Sequence, residues 1–271
     1  MRAETRHRRL RSDSRWNTPA AALGLLAAIL GSFVVTLVLV SGCIASPSTP
    51  GSTPSPSSKA TAPDGTNAAT AKPVAVPNFD KHAYSVTKAT SLWVIVNKKH
   101  PLDPRRYHPQ VSVVDGREVD RRMAPYLKQL LAASDRAGNP LHVVSGYRSY
   151  GYQQSVFGSL AAQQGKASAE MWSAKPGYSE HQTGLAADLD LANRSTCSLQ
   201  SCFGSTHGGR WLAANAWRYG FIIRYTKANT KITGYEPEPW HIRYVGKPLA
   251  KELRATHATS LESFFGVSGG K

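Results

Sequence analysis

Apolar positions divide the chain into three stretches of different character. From about Ala20 to Val40 they form a nearly unbroken run. From about Ala45 to Pro77 they give way to Ser, Thr, Pro, Ala and Gly, and from Ser91 onward they return with the spacings of short strands and helices. In that last stretch, Leu92-Trp93-Val94-Ile95-Val96-Asn97 predicts a buried strand. A helix follows over about Ala124 to Ala137, with Pro125 in its first turn, Leu127, Leu130 and Leu131 inward and Gly138 as its stop. Leu141 to Ser145 predicts a strand. Ser149 then caps a helix running to about Gln164, with Val156, Phe157 and Leu160 inward. Gly165 to Ser173 and Asn193 to Gly209 read as loops. A short helix through Trp211, Leu212 and Ala216 ends at Gly220, ahead of a strand at Phe221 to Tyr225. A hairpin connection from Lys227 to Tyr235, a strand around His241 and a terminal helix opened by Pro248 complete the pattern. Strands and helices mix without βαβ alternation, so the expected class is α+β, a small antiparallel sheet flanked by helices around a cleft.

The densest local pattern is Ser179-Glu180-His181-Gln182-Thr183-Gly184-Leu185-Ala186-Ala187-Asp188-Leu189-Asp190. Past Gly184 the run alternates. Leu185, Ala187, Leu189 and Leu191 share the face that buries, and Ala186, Asp188 and Asp190 share the face toward a cleft. His181 precedes the glycine turn, so the reversal of the chain brings its imidazole to Asp188. A second candidate stretch is Glu236-Pro237-Glu238-Pro239-Trp240-His241-Ile242-Arg243-Tyr244-Val245. Its prolines exclude a helix interior, so Glu238 and His241 are not a helical zincin pair, and no H-E-x-x-H occurs in the chain. On a strand, His241, Arg243 and Val245 share one face, opposite Ile242 and Tyr244.

A catalytic zinc takes three protein ligands and keeps a position for water. His181, Asp188 and His241 meet that number, and Glu238 is left over for proton transfer. Asp190 either replaces Asp188 as a ligand or orients a ligating histidine from behind. Either histidine alone would read as a core residue, and two histidines with a carboxylate also form the facial triad of non-haem iron oxygenases. The wide His181-to-Asp188 spacing and the base-like Glu238 favour zinc.

Charge narrows the partners. The net charge of +16 suits an anionic membrane surface or wall polymer. It would suit nucleic acid too, but no recognition-helix, RNP or zinc-finger pattern accompanies it. Arg2, Arg6, Arg8, Arg9, Arg11 and Arg15 precede the apolar run, which marks a targeting segment with a cytoplasmic amino terminus. The run ends in Val40-Ser41-Gly42-Cys43, which resembles a bacterial lipobox in which Cys43 is lipidated after cleavage; an uncleaved signal anchor is the alternative. Both place the remainder outside the membrane. Export permits a Cys197–Cys202 disulfide, against three free thiols. The expected organisation is a signal peptide or anchor over residues 1–43, a disordered Ser/Thr/Pro linker over 44–78 and a folded domain over 79–271.

Four ordered stretches carry a family resemblance: Val96 to Leu102 (VNKKHPL), Ser145 to Ser149 (SGYRS), Ser179 to Asp188 (SEHQTGLAAD) and Glu238 to His241 (EPWH). Together they resemble the VanY-type D-alanyl-D-alanine carboxypeptidases of the M15 zinc peptidase group, over most of the chain from about Ser91 to Gly246. The resemblance implies a Zn2+ peptidase that removes the terminal D-alanine from peptidoglycan stem peptides. In that reading His181, Asp188 and His241 hold the metal, Glu238 is the base, Arg148 steadies the developing oxyanion, and Ser145, Gln153 and Ser179 contact substrate. Glu236 departs from the pattern: a second carboxylate either raises the pKa of Glu238 by repulsion or points to solvent. The expected partners are the stem peptide and, through the amino terminus, the membrane. The protein is taken as a monomer at the outer face of the bacterial cytoplasmic membrane, without nucleic acid. An L,D-carboxypeptidase, a wall endopeptidase and a non-catalytic zinc-containing wall-binding module are the competing functions.

Overall fold

A computed structural model describes residues 76–193 and 196–270. The expected leader, its lipidation at Cys43 and most of the expected linker lie outside the described residues. The architecture is α+β with two antiparallel sheets, a two-stranded hairpin and a four-stranded sheet.

The hairpin pairs β1 (Val111–Val114) with β2 (Arg117–Asp120). Its turn is Asp115-Gly116, both residues at positive φ (50° and 72°), the backbone that matches the right-handed twist of the flanking strands. This hairpin is additional to the elements expected from apolar spacing. The Asp-Gly pair between Val-Val and Arg-Glu-Val was its signal.

Helix α1 (Ala124–Arg136) has Pro125 in its first turn and buries Leu127 and Leu130, as its spacing predicts. Strand β3 (Leu141–Ser145) and helix α2 (Tyr150–Gln164) also form as expected, with Ser149 capping α2 by accepting from the Tyr152 amide at 3.1 Å. The inward face of α2 is a correction. Val156, Phe157 and Leu160 are only half-buried, and Gln153 alone is buried on this helix. Gly165 to Ser173, expected as a loop, carries a helix, α3 (Lys166–Trp172). Lys, Ala, Glu and Met favour helix there, and Ala169 anchors the turn by burial.

The main sheet runs β3-β4-β6-β5, every neighbour antiparallel, with β4 at Ala186–Leu191, β5 at Phe221–Tyr225 and β6 at Glu238–Tyr244. Between β4 and β5 lie a one-turn helix at Ser201–Ser205, α4 (His207–Asn215) and a turn at Ala216–Tyr219 that ends at Gly220. Cys197 and Cys202 are joined by a disulfide that closes the loop ahead of α4. The β5–β6 connection holds a single helical turn, α5 (Thr230–Thr233), and α6 (Lys247–Ala255) and α7 (Leu261–Phe265) follow the sheet. Among the described residues no helix is long and apolar enough to cross a membrane.

The alternation read for β4 places Leu185, Ala187 and Leu189 in the core, with Leu127, Leu130, Phe203, Leu212, Phe221, Ile242 and Tyr244. A second cluster gathers Trp93, Ile95, Val245, Leu249 and Leu253. Leu92 to Asn97 is buried as expected but is not a strand. Among the described residues no partner strand flanks it, and a side chain takes its carbonyls: Arg243 Nη2 donates to Leu92 O (3.0 Å) and Val94 O (2.9 Å). Trp93 in turn donates from Nε1 to Val245 O at 2.9 Å.

Two glycines with nearly equal φ separate backbone strain from crowding. At Gly184 (φ 70°) a Cβ would meet the Asp120 amide nitrogen and Pro109 Cγ at 2.9 Å, whereas at Gly116 (φ 72°) it would meet nothing within 4 Å. Gly116→Ala is expected to cost about 1 kcal/mol. Gly184→Ala adds a steric conflict with backbone and is expected to cost about 2–4 kcal/mol. Urea unfolding of the two variants checks the difference.

Candidate metal centre and cleft

β4 and β6 are paired so that Asp188 lies directly across from His241. Cross-strand neighbours on one face sit about 4.5–5.5 Å apart at Cβ, so the register itself puts a carboxylate beside an imidazole. His181 comes from the one-turn helix Glu180–Thr183, which Gly184 terminates in the left-handed conformation. That reversal is tied down by the Asp120 amide donating to Gly184 O (2.8 Å) and by the Gly184 amide donating to His181 O (3.1 Å). His181 Nε2 lies 3.3 Å from Asp188 Oδ2, and His241 Nδ1 lies 3.3 Å from Asp188 Oδ1. One ligating atom from each of the three falls within 4.8 Å of the others, and all three residues are buried.

The donor set fits a divalent metal. Each imidazole turns its other nitrogen to an acceptor behind it. His181 Nδ1 is 2.7 Å from Gly146 O, and His241 Nε2 is 3.4 Å from Glu180 Oε2. The Gly146 carbonyl thus orients the His181 ring, as an outer carbonyl does for a ligating histidine, whereas His241 Nε2 and Glu180 Oε2 are in charge contact without a hydrogen bond among the described residues. Asp188 Oδ1 is buried without a hydrogen-bond partner among the described residues. Asp190, read as a possible support for a histidine, accepts from its neighbour's Leu191 amide (2.8 Å) instead.

Protonation follows from the same geometry. Burial lowers the pKa of His181, and the Arg148 guanidinium lowers it further, so the ring is held neutral, the form that binds metal. Burial would raise the Asp188 carboxyl, but His181 and His241 hold it well below the usual carboxylate range. Burial also opposes the charged form of His241, yet the carboxylates of Asp188, Glu180 and Glu238 raise it well above an ordinary imidazole.

Glu180 lay inside the richest sequence pattern without a role assigned to it. In the fold it is buried beneath His241, with its Oε1 accepting from Arg224 Nε (2.8 Å) and Arg243 Nη1 (2.9 Å). Arg224 also grips Glu262 through Nη1 (3.0 Å) and Nη2 (2.6 Å), and Asn97 donates to Glu262 at 3.2 Å. The one available signal was the pair of arginines on otherwise apolar strands, which must find carboxylates if buried.

The site opens into a cleft of about 650 Å³. Glu238 lines it, with Oε2 3.3 Å from His241 Nδ1. Arg148 lines it, donating from Nη2 to Asp188 Oδ2 (2.8 Å) and from Nε to Ser145 Oγ (2.9 Å). Ser145 therefore holds the guanidinium and is not itself part of the lining. Gln153 and Ser179 do line the cleft. The Gln153 amide donates to Ala174 O (2.8 Å) and Ser173 Oγ (3.1 Å), which leaves its Oε1 buried and unpartnered among the described residues. Trp172, Tyr178 and Trp240 form walls, with Met171 and Leu199 at an exposed apolar rim. Tyr225 and Tyr235 also line it, and burial raises both phenol pKa values, so they stay protonated.

The sequence model of the family described as VanY: D-alanyl-D-alanine carboxypeptidase matches residues 116–247. The putative carboxypeptidase YodJ of Bacillus subtilis (strain 168) is 39% identical over 193 residues, spanning 67% of this chain and 69% of that protein. Among solved structures, the LdcB LD-carboxypeptidase superposes with a TM-score of 0.59 at 38% identity, over 67% of this chain and 89% of that one. A variant of the vancomycin resistance D,D-pentapeptidase VanY, in complex with Zn(II), gives 0.56 at 35% identity, over 65% and 99%.

Removing the charge of Glu180 tests the support under the site. Glu180→Gln leaves Arg224 and Arg243 facing a neutral group inside the protein, so a loss of about 3–5 kcal/mol in denaturant unfolding is expected. The pH dependence has a definite sign. Burial opposes ionisation of Glu180 and Glu262, but Arg224, with Arg243 at Glu180, holds both carboxyls below their usual value of 4.5. Their stabilisation is therefore complete above pH 4.5 and lost as pH falls through the lower folded values. Acid titration of the Glu180→Gln variant should show a shallower loss between these limits than the unsubstituted protein.

Proposed function

We propose that this chain, which belongs to the VanY family of D-alanyl-D-alanine carboxypeptidases, is a zinc-dependent D,D-carboxypeptidase that removes the terminal D-alanine from peptidoglycan stem peptides. The observation that carries the reading is the convergence of His181, Asp188 and His241 at the base of a peptide-sized cleft, with Glu238 3.3 Å from His241. Zn(II) is present in the solved VanY complex, and the donor set here is the one a three-ligand catalytic site requires. When bound, zinc supplies a Lewis acid that brings the ionisation of water toward neutral pH.

The chain's own groups perform the rest. Glu238, 22% exposed in the cleft lining, takes the proton of the attacking water and hands it to the departing amine. Pro237 and Pro239 stiffen the backbone on both sides of it, which keeps the carboxylate aimed without a helix. Arg148 is the one lysine or arginine in the cleft lining, so negative charge developing on the cleaved carbonyl meets a positioned guanidinium there. Gln153 and Ser179 present polar groups to the peptide, and Trp172, Tyr178 and Trp240 offer it apolar surface. The basic, then apolar, amino-terminal sequence supports export and attachment at the outer face of the cytoplasmic membrane, whether through lipidation of Cys43 or an uncleaved anchor.

A second reading, an L,D-carboxypeptidase acting on the tetrapeptide, is favoured by the likeness to LdcB. Incubation of the folded domain with defined penta- and tetrapeptide stems, followed by mass spectrometry of the released residue, separates the two. The expected result is D-alanine from the pentapeptide; release from the tetrapeptide alone would transfer the assignment to the second reading.

For Glu238→Gln, a fall in kcat of about 10²–10⁴ is expected with metal content unchanged. Hydrolysis that survives this substitution in metal-loaded protein would remove Glu238 from the chemistry.

A further inference from the structure

The charges around the cleft are nearly all committed. Arg148 is matched to Asp188 at 2.8 Å, Glu180 to Arg224 and Arg243, and Glu238 to His241 and proton transfer. Glu236 is the exception. It lines the cleft, its side chain is exposed, and it makes no hydrogen bond or ion pair with any described residue. Arg148, the lining's guanidinium, is paired with Asp188 and not with Glu236, although the chain as a whole carries +16. A free carboxylate at the mouth of a site, on a protein otherwise rich in positive charge, selects for a cationic group on whatever enters.

Its place along the substrate follows from chain geometry. Two residues of extended backbone span about 7 Å, so Glu236 stands one to two peptide residues away from the bond that Glu238 serves. Pro237 and Pro239 make that offset rigid, and Pro239 packs against the turn at Gly204, within 3.1 Å of where a Cβ there would stand. On the carboxyl side of the cut a carboxypeptidase holds a single residue ending in a carboxylate, which Glu236 would repel. The group it attracts therefore lies on the amino side.

Resting on the carboxypeptidase reading above, we infer that Glu236 is a specificity-determining residue that receives a free side-chain ammonium of the stem peptide, one or two residues before the cleaved bond. A stem peptide carries such an amine on its diamino residue until cross-linking turns it into a neutral amide. Glu236 thereby directs the enzyme toward stems that are not yet cross-linked.

Two synthetic pentapeptides, Ala-D-Glu-Lys-D-Ala-D-Ala with the lysine amine free or acetylated, test this with the zinc-loaded protein and its Glu236→Gln and Glu236→Lys variants. For Glu236→Gln a loss of about five- to tenfold in kcat/KM, carried by KM, is expected with the free amine. Less than twofold change is expected with the acetylated peptide. Glu236→Lys should enlarge the loss on the free amine only, and added salt should shrink the difference between peptides in the unsubstituted enzyme. Equal effects on both peptides, or a change confined to kcat, would overturn the inference, since Glu236 would then act on the base at Glu238 and not on the substrate. Cleavage of neither peptide by the unsubstituted enzyme would instead reject the D,D-carboxypeptidase reading on which the inference stands.

Discussion

The carboxylate of Glu180, buried between Arg224, Arg243 and the back of His241, is the interaction on which the rest of the structure depends. It joins the turn that carries His181 to the strands that carry His241 and the sheet edge. Through Arg224 and Glu262 it reaches α7, through Asn97 the carboxyl-terminal segment at Ser268, and through Arg243 the unladdered segment at Leu92 and Val94. Two carboxylates and two guanidinium groups balance within this cluster. Buried ion pairs of this kind contribute little to stability compared with an apolar replacement, because desolvation offsets most of the Coulombic gain. Their effect is on uniqueness: both guanidinium groups find carboxylate or carbonyl acceptors from separate segments, which ties those segments to one another. Here that arrangement is the one that points His241 Nδ1 at Asp188.

Support from below and register from the side act together. The β4–β6 pairing fixes Asp188 opposite His241, and a slip by one residue would send one of them to the core face occupied by Ala187 and Ile242. Leu185, Ala187 and Leu189 forbid that slip, since they bury only in the observed register. The apolar face thus sets the position of the polar one. His181 needs a different device because it is not on the sheet. The Gly184 reversal, where any Cβ would meet the Asp120 amide nitrogen and Pro109 at 2.9 Å, returns the chain where the imidazole reaches Asp188.

Much of this was legible in the sequence, and the divergences have physical causes. The faces of β4 and β6, the caps of α1 and α2 and the convergence of two histidines with an aspartate follow from period-two alternation and from glycine and proline placement. The β1–β2 hairpin was signalled by Asp115-Gly116 but hidden by weak alternation, with Val113 exposed. Leu92 to Asn97 reads as a strand because burial demands apolar residues whatever the backbone does. What replaced its ladder was a guanidinium from a residue about 150 positions away, which no local pattern reports. The half-burial of α2 is of the same kind. Its apolar residues stay half-buried, and the Gln153 amide bonds to Ser173 and Ala174 tie the helix to the segment after α3. Glu180 escaped assignment because a carboxylate's role depends on which arginines lie within 3 Å of it, a tertiary fact.

The layering of charge from interior to surface connects the fold to its chemistry. At the bottom, Glu180 and Glu262 are neutralised by arginines and serve only to orient. One layer up, Asp188 and the two histidines form a donor set suited to a divalent ion, with Arg148 hydrogen-bonded to Asp188. Above that, Glu238 is half-open, which suits a group that must exchange protons. Each step outward lowers the cost of leaving a charge unpaired, because solvent screens it more completely. Structural charges can therefore be placed only at the bottom, where pairing is enforced, and working charges only higher up, where a substrate or a proton can complete the pair. The order of roles along the depth of the cleft follows from dielectric screening, and sequence position had to deliver each residue to its layer.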